Sequence, residues 1–324
     1  MKQQFSVKDK DRIREYPALY VGHVDIRGVL NLLFDFVKDI IYESKQANVV
    51  MEIHSDECVS TFHITCDYMF DIKENIGLYV IEALSSSCGF SVKQDIFTLW
   101  FEPDREVFSY ETIEYHCLFV RLTELAMLNT NMKFLLTNHE NRNVIQFPCG
   151  LETMLMTGVY KFGLVHGAKP LSIYFSKDDI EVRVSMIYGY AQDVTFSYVN
   201  NEKTNDGGSH VEGLYDGLLH AFQKYDNNLK ISRKDVAEGF NFVISLTMDQ
   251  PQFAGAVNRY LTNEEVYYVV MEGVLESIIS ILYSDPSFFY SSRVIQKAKL
   301  RRITSNRDIE DSIEGKIIYP AFED

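Results

Sequence analysis

Between Asp25 and Ser44 the apolar side chains fall at Val29, Leu30, Leu32, Leu33, Phe36, Val37, Ile40 and Ile41. That is the period of a helix whose apolar face is broad, as in a core helix. The next stretch changes period: VVMEIHSDECVSTFHI (49–64) alternates and breaks at Ser55-Asp56-Glu57. It reads as two strands joined by a short turn. A core helix followed by paired strands sets an α+β expectation.

The rest of the chain continues the mixture. A short helix is expected at Gly77–Ser86, a strand at Ile96–Phe101 ending at Pro103, and a helix from about Tyr110 to Met127 that Asn129-Thr130-Asn131 stops. Two strands follow near Lys133–Thr137 and Val144–Phe147, then a helical or irregular stretch to Lys161. The Gly-Ala-Lys-Pro break at 167–170 is the expected domain boundary. Beyond it SIYF, IEVRVSMIY and DVTFSYVNN read as three strands, and a helix follows to about Tyr225. FNFVISLTM (240–248) reads as a buried strand before helices at Glu264–Tyr283 and Phe288–Arg302. The acidic end, 303–324, reads as a loosely attached tail.

Charge limits what such a chain meets. With 46 acidic and 31 basic residues the formal net charge is −15, so most of the surface repels phosphate backbones and anionic lipid. A nucleic-acid role is expected only at a local patch. The candidate is Lys297, Lys299, Arg301 and Arg302, although basic residues in a last helical turn also suit the helix dipole. Five cysteines without a CxxC pair point to reduced thiols. The start lacks the apolar core of a signal peptide, and no apolar run of about 18 residues is evident. A soluble cytoplasmic protein with no membrane partner is the expectation.

Few residues carry an obvious chemistry. Gly207-Gly208 before a helix could cradle an anion, but no Lys-Ser/Thr follows as in a P-loop, and a turn with Ser209 as N-cap is the competing reading. His54, Cys58, His63 and Cys66 resemble a zinc set only in composition. On a strand, His63 and Cys66 are three apart and face opposite sides, so no metal is expected. No Gly-x-Ser-x-Gly elbow appears, and His210 and His220 lie near opposite ends of one helix.

Longer motifs carry a resemblance. GGSHVEGLYDGLLHAFQKY (207–225) and SRKDVAEGFNFVISLTMDQPQF (232–253) follow Asn200-Asn201. In that order they resemble the transducer domain of the DNA gyrase B family and its topoisomerase IV counterpart. YPALYVG (16–22) and LTELAMLNTNMKF (122–134) resemble segments of the same family's ATPase domain. The resemblance implies a GHKL (Bergerat) α/β sandwich over 1–167, a ribosomal-S5-like transducer over 168–302, and the tail.

The family's chemistry resides in particular side chains, so it transfers one residue at a time. The family's ATPase helix reads Glu-Val-Val-Asp-Asn, its Glu polarising water and its Asn holding magnesium; here the chain has Asp35-Phe36-Val37-Lys38-Asp39. Asp35 is one methylene short for a base that must lie within ~3 Å of its proton. The adenine-reading Asp is replaced by Ile64, and the Gly-Thr pair by Ile96-Phe97. Only Gly77 remains from the end of the Gly-rich lid. The Gln-Thr-Lys phosphate sensor falls on Ala256-Val257-Asn258.

By this resemblance Asp35, Asp39, Ile64, Gly77 and Phe97 are vestigial site positions. The chain is then a pseudo-ATPase without catalytic residues or cofactor, serving as a binding or regulatory protein. Its partner would be a topoisomerase subunit or a second copy. The long exchanging N-terminal arm and a TOPRIM domain are not recognised in these residues. The alternatives are a diverged topoisomerase fragment that still takes ATP and magnesium, and a DNA-binding module using the basic cluster.

Overall fold

Asp25 starts the first long helix, its carboxylate accepting the Arg27 backbone N–H at 2.9 Å. In the computed structural model, which describes residues 7–44, 49–56, 61–69, 75–160, 169–188, 194–255 and 258–291, this helix is α3. Two compact units divide the chain between Met154 and Leu155. The expected boundary at 167–168, the tail at 303–324 and the basic cluster Lys297, Lys299, Arg301 and Arg302 lie outside the described residues.

The first unit runs α1 (Val7–Glu15), α2 (Ala18–Val21), α3 (Ile26–Glu43), β1 (Val49–Asp56), β2 (Thr61–Cys66), α4 (Ile76–Leu84), β3 (Ser85–Lys93), β4 (Ile96–Pro103), α5 (Tyr115–Leu128), β5 (Met132–Thr137) and β6 (Arg142–Ile145). The strands form one sheet in the order β3-β4-β2-β1-β5-β6. Among the described strands of this sheet only the β1–β5 pairing is parallel. One core joins sheet and helices: Phe62, Ile64 and Cys66 from β2, Phe97, Leu99 and Phe101 from β4, Leu33, Phe36 and Ile40 from α3, and Leu118, Leu122 and Leu125 from α5. Strand alternation supplies the first two sets and the helical period the others.

Helix α5 starts at Tyr115, later than the expected Tyr110, because Ser109 pairs back to Val24 through N–H to O at 2.8 Å. Strand β3 was not expected. Its residues SSSCGFSVK are exposed over most of their length, so no in-out alternation marks them.

After α6 (Leu151–Tyr160), which crosses the division, the second unit contains β7 (Leu171–Lys177), β8 (Ile180–Tyr188), β9 (Thr195–Val199), β10 (Glu202–Lys203), β11 (Gly207–Gly208), α7 (Ser209–Tyr225), α8 (Arg233–Ala237), β12 (Phe240–Thr247), β13 (Tyr260–Leu261), α9 (Glu264–Ser284) and α10 (Ser287–Ser291). A five-stranded sheet, β10-β9-β12-β8-β7, stands beside a small parallel pair, β11-β13. Val182, Val184 and Met186 of β8 and Phe240, Phe242 and Ile244 of β12 share a core with Leu214, Leu218 and Phe222 of α7 and Val270, Val274 and Ile278 of α9.

Two glycines set the distance between α7 and α9. A Cβ on Gly213 would lie 2.5 Å from the Tyr267 carbonyl oxygen, and one on Gly217 2.7 Å from that of Met271. Helix α9 is by length and composition apolar enough to cross a bilayer. Glu272 and Glu276 interrupt its apolar run. In the fold Val266, Val270, Val274, Ile278 and Leu282 are buried in the second unit's core, as in a core helix.

The Gly-Gly entry to α7 also differs from expectation. Gly208 occupies the N-cap position without a side-chain cap bond, and Ser209 is the first helical residue. Its Oγ is buried with no hydrogen-bond partner among the described residues. The cause is the β11–β13 pairing: a Cβ on Gly208, at φ 136, would meet the Leu261 N at 2.4 Å. Gly208 thus serves the close approach of two backbones, and Gly207 supplies a left-handed φ of 77. His210 behind them is fully buried and donates to or accepts from Thr204 Oγ1 at 3.2 Å; burial lowers its pKa to about 3. His220 is exposed.

Candidate functional site

Three local features of the first unit converge on one cleft. Pro17 precedes α2, and Gly22, at φ 75, ends it by donating its N–H to Ala18 O at 3.0 Å. The Asn31 amide then ties α2 to α3 by donating to Val21 O at 3.0 Å. Along α3 the helical period sets Leu32, Asp35 and Asp39 on one stripe. Asn75 caps α4, its Oδ1 accepting the Leu78 N–H at 2.8 Å, and so places Ile76, Gly77 and Val80. With Tyr20 and Val21 these residues line a cleft of about 310 Å³.

Asp35 does not stand alone there. Lys38 Nζ lies 2.6 Å from its Oδ1, with the lysine side chain only 16% exposed against 48% for the aspartate. A carboxylate held by an ammonium one turn along its own helix is poorly placed to draw a proton from water.

Asp39 is in the reverse situation. Among the described residues no ion pair reaches it, and Asn75 Nδ2 donates to its Oδ2 at 3.4 Å. Burial, and then the negative charges of Asp35 and Glu43, push its pKa up to about 6 against the opposing pull of Lys38. Gly77 makes room for it: a Cβ there would lie 2.8 Å from Asp39 Oδ2.

This raised acid has a measurable consequence. Between its unfolded value of 3.8 and about 6 the folded state binds more protons than the unfolded state. Stability therefore falls as pH rises through that window. The full shift corresponds to roughly 3 kcal/mol, and solvent screening of a partly exposed group reduces it to about 1–2 kcal/mol. Asp39→Asn is expected to raise the melting temperature at pH 8 and leave it unchanged at pH 4, as thermal unfolding at the two pH values checks.

Ile64 and Phe97 are elsewhere. Both are completely buried, and they do not line the cleft. Cys66 pairs across the sheet with Phe97, and Ile64 with Leu99. The four side chains thus share the inner face. The Phe97 ring lies 6.0 Å from Phe36 of α3 and 6.1 Å from Phe90 of β3. Solid core occupies these positions.

The fold therefore brings Asp35, Asp39 and Gly77 together and separates them from Ile64 and Phe97. Sequence reasoning passed over Lys38, Asn75 and Tyr20; the i, i+3 spacing of Asp35 and Lys38 was a usable signal for the first. Of the sensor positions, Ala256 and Val257 lie outside the described residues, as do Cys58 and residues 70–74. His63 is exposed and Cys66 buried on opposite sides of β2. His54 lies 6.1 Å from His63 and 6.0 Å from His139, ring to ring. Among the described residues no group of three or more His, Cys, Asp or Glu is placed to hold a metal.

Comparison with known proteins bears on the family likeness and the fold. The family model described as DNA gyrase B matches residues 150–308. The DNA gyrase B protein of Clostridium acetobutylicum is 24% identical over 95% of the chain and 61% of its own length. That of Staphylococcus epidermidis is 30% identical over 67% of the chain and 38% of its own length. The chain thus spans less than two thirds of these relatives.

Among solved structures, the 43K ATPase domain of Thermus thermophilus gyrase B in complex with an aminocoumarin superposes with a TM-score of 0.77 at 19% identity, covering 94% of this chain and 97% of that one. The topoisomerase IV ATP-binding domain of Francisella tularensis gives 0.73 at 20%, covering 90% and 97%. At such identities the likeness is one of fold: mixed helix and sheet, matching the ATPase region of gyrase B.

Proposed function

We propose that this chain, a gyrase-B-like protein with the fold of the gyrase B ATPase region, is a pseudo-ATPase that acts by binding and does not hydrolyse ATP. The observation that carries the reading is the complete burial of Ile64 and Phe97 in the sheet core, at the two positions where the family resemblance puts contacts to adenine. A polar edge reader replaced by a buried aliphatic leaves the base without its hydrogen-bond partner, a loss that strongly disfavours binding. The ion pair between Asp35 and Lys38 supports the same reading at the general-base position.

In this proposal residues up to about 167 form the ATPase-like part and 168–302 the transducer-like part. The partner is a topoisomerase subunit or a second copy of the chain, in keeping with relatives that are named as gyrase subunits. The cleft that holds Asp35 and Asp39 is the feature that a rival, nucleotide-binding reading would use. Thermal unfolding with millimolar Mg-ATP separates the two. A ligand at about 100 times its dissociation constant stabilises by about 2.7 kcal/mol. The expected shift is none, and a clear shift that Asp39→Ala abolishes would falsify the proposal.

A further inference from the structure

We infer that the cleft between α2, α3 and α4 receives a basic side chain, an arginine above all, from a partner polypeptide. The inference rests on the reading that no nucleotide occupies this cleft. It names the chemistry that the cleft takes instead.

The walls define the ligand. Tyr20, Val21, Leu32, Ile76 and Val80 are apolar and surround two carboxylates, Asp35 and Asp39. An apolar stem ending in a positive head matches such a lining, because long basic side chains bury their methylenes and keep the charge for a polar partner. Asp35 already has Lys38. Asp39 has no ion pair among the described residues, and its only hydrogen bond among them is the long one from Asn75. It is the half-buried carboxylate of the cleft without an ion-pair partner among the described residues, Lys38 acting on it only at longer range.

A planar guanidinium is the cation best suited to a carboxylate in such a place, since its fork donates two parallel hydrogen bonds. Tyr20 is in the lining, and an aromatic ring attracts the same group. The volume of about 310 Å³ is at the small end for ligand sites, which run from roughly 300 Å³ upward. It suits one long side chain better than a large cofactor.

The rim argues for a polypeptide over a free amine. Leu19, next to Tyr20 on α2, is 77% exposed, Ile76 is 57% exposed and Tyr20 40%. These apolar side chains give the residues flanking an inserted arginine a surface to land on. The chain's net charge of −15 draws a basic partner towards it.

A matched pair of peptides isolates the charge: acetyl-Leu-Arg-Leu-amide and its citrulline counterpart, which has the same shape without the positive charge. Each is titrated calorimetrically into the full chain at low salt, with butylguanidine as a third probe. The arginine peptide is expected to bind at least ten-fold more tightly than the citrulline peptide and than butylguanidine. Asp39→Asn should erase the preference over citrulline. Gly77→Ala, which keeps the carboxylate but displaces it, should reduce that preference.

Equal affinity of the two peptides, no binding by either, or a preference that survives Asp39→Asn overturns the inference. Butylguanidine binding as tightly as the arginine peptide overturns the assignment to a polypeptide. Mg-ATP titrated alongside keeps the two proposals apart. ATP binding sinks the pseudo-ATPase reading, whereas silence from both ATP and the arginine peptide sinks only this one.

Discussion

Gly217→Val is expected to lower the stability of the second unit by about 3 kcal/mol or more, at the upper end of what overpacking a core does. The cause is local and rigid. A Cβ at Gly217 would come within 2.7 Å of the Met271 carbonyl oxygen and 2.8 Å of Val274 Cβ. Helix backbone cannot yield as the end of a flexible side chain can, so α7 and α9 would have to move apart. Gly213, one turn earlier, makes the same approach to Tyr267 O at 2.5 Å.

Separation would open the contact that joins Leu214, Leu218 and Phe222 to Val270, Val274 and Ile278. His220→Val provides the control, since His220 is exposed on the same helix and surface substitutions change stability by about 0.5 kcal/mol or less. Urea unfolding of both variants checks the difference. A Gly217→Val protein as stable as the control would mean that the helices do not pack this closely.

Phe97→Ala is expected to cost about 3–5 kcal/mol, the range for deleting a buried ring without collapse of the space left behind. Phe97 is fully buried against Phe36 and Phe90, with Ile64 and Leu99 on the same inner face. The size of the effect discriminates between two accounts of the first unit. A ring filling a solid core leaves a cavity when it is removed. A ring lining an open nucleotide pocket leaves only a wider pocket, and its loss would cost about 1 kcal/mol or less. Denaturant unfolding of the full chain, followed in the first unit's transition, measures which of these holds.

Much of the fold was legible because its strongest elements carry strong periods. The broad apolar face of α3, the continuous apolar run of β12 and the alternation in β8 each correspond to an element in place. Elements without such a period escaped. Strand β3 is an exposed sheet edge whose serines and Gly89 keep no alternation, and its pairing with β4 rests on backbone hydrogen bonds that any sequence can make. The start of α5 was placed too early because a tertiary bridge, Ser109 to Val24, overrides local propensity.

The site was legible to a different degree. Asp35, Asp39 and Gly77 could be singled out only through the family resemblance, and the fold sets them round one cleft. The partners that decide their chemistry were not visible. Asn75 reaches Asp39 from 36 positions along the chain, a contact that no local pattern encodes. Ser209 was misread as a cap because the Gly-Gly pairing with β13 fixes the helix entry from about 50 residues downstream.

The central claim, that the first unit does not hold nucleotide, is tested most directly by calorimetric titration of Mg-ATP into the full chain, with loss of the signal in Asp39→Ala as the criterion of site. The account predicts no saturable heat at millimolar ATP in either protein. Saturable binding to the unaltered chain that Asp39→Ala removes would contradict it.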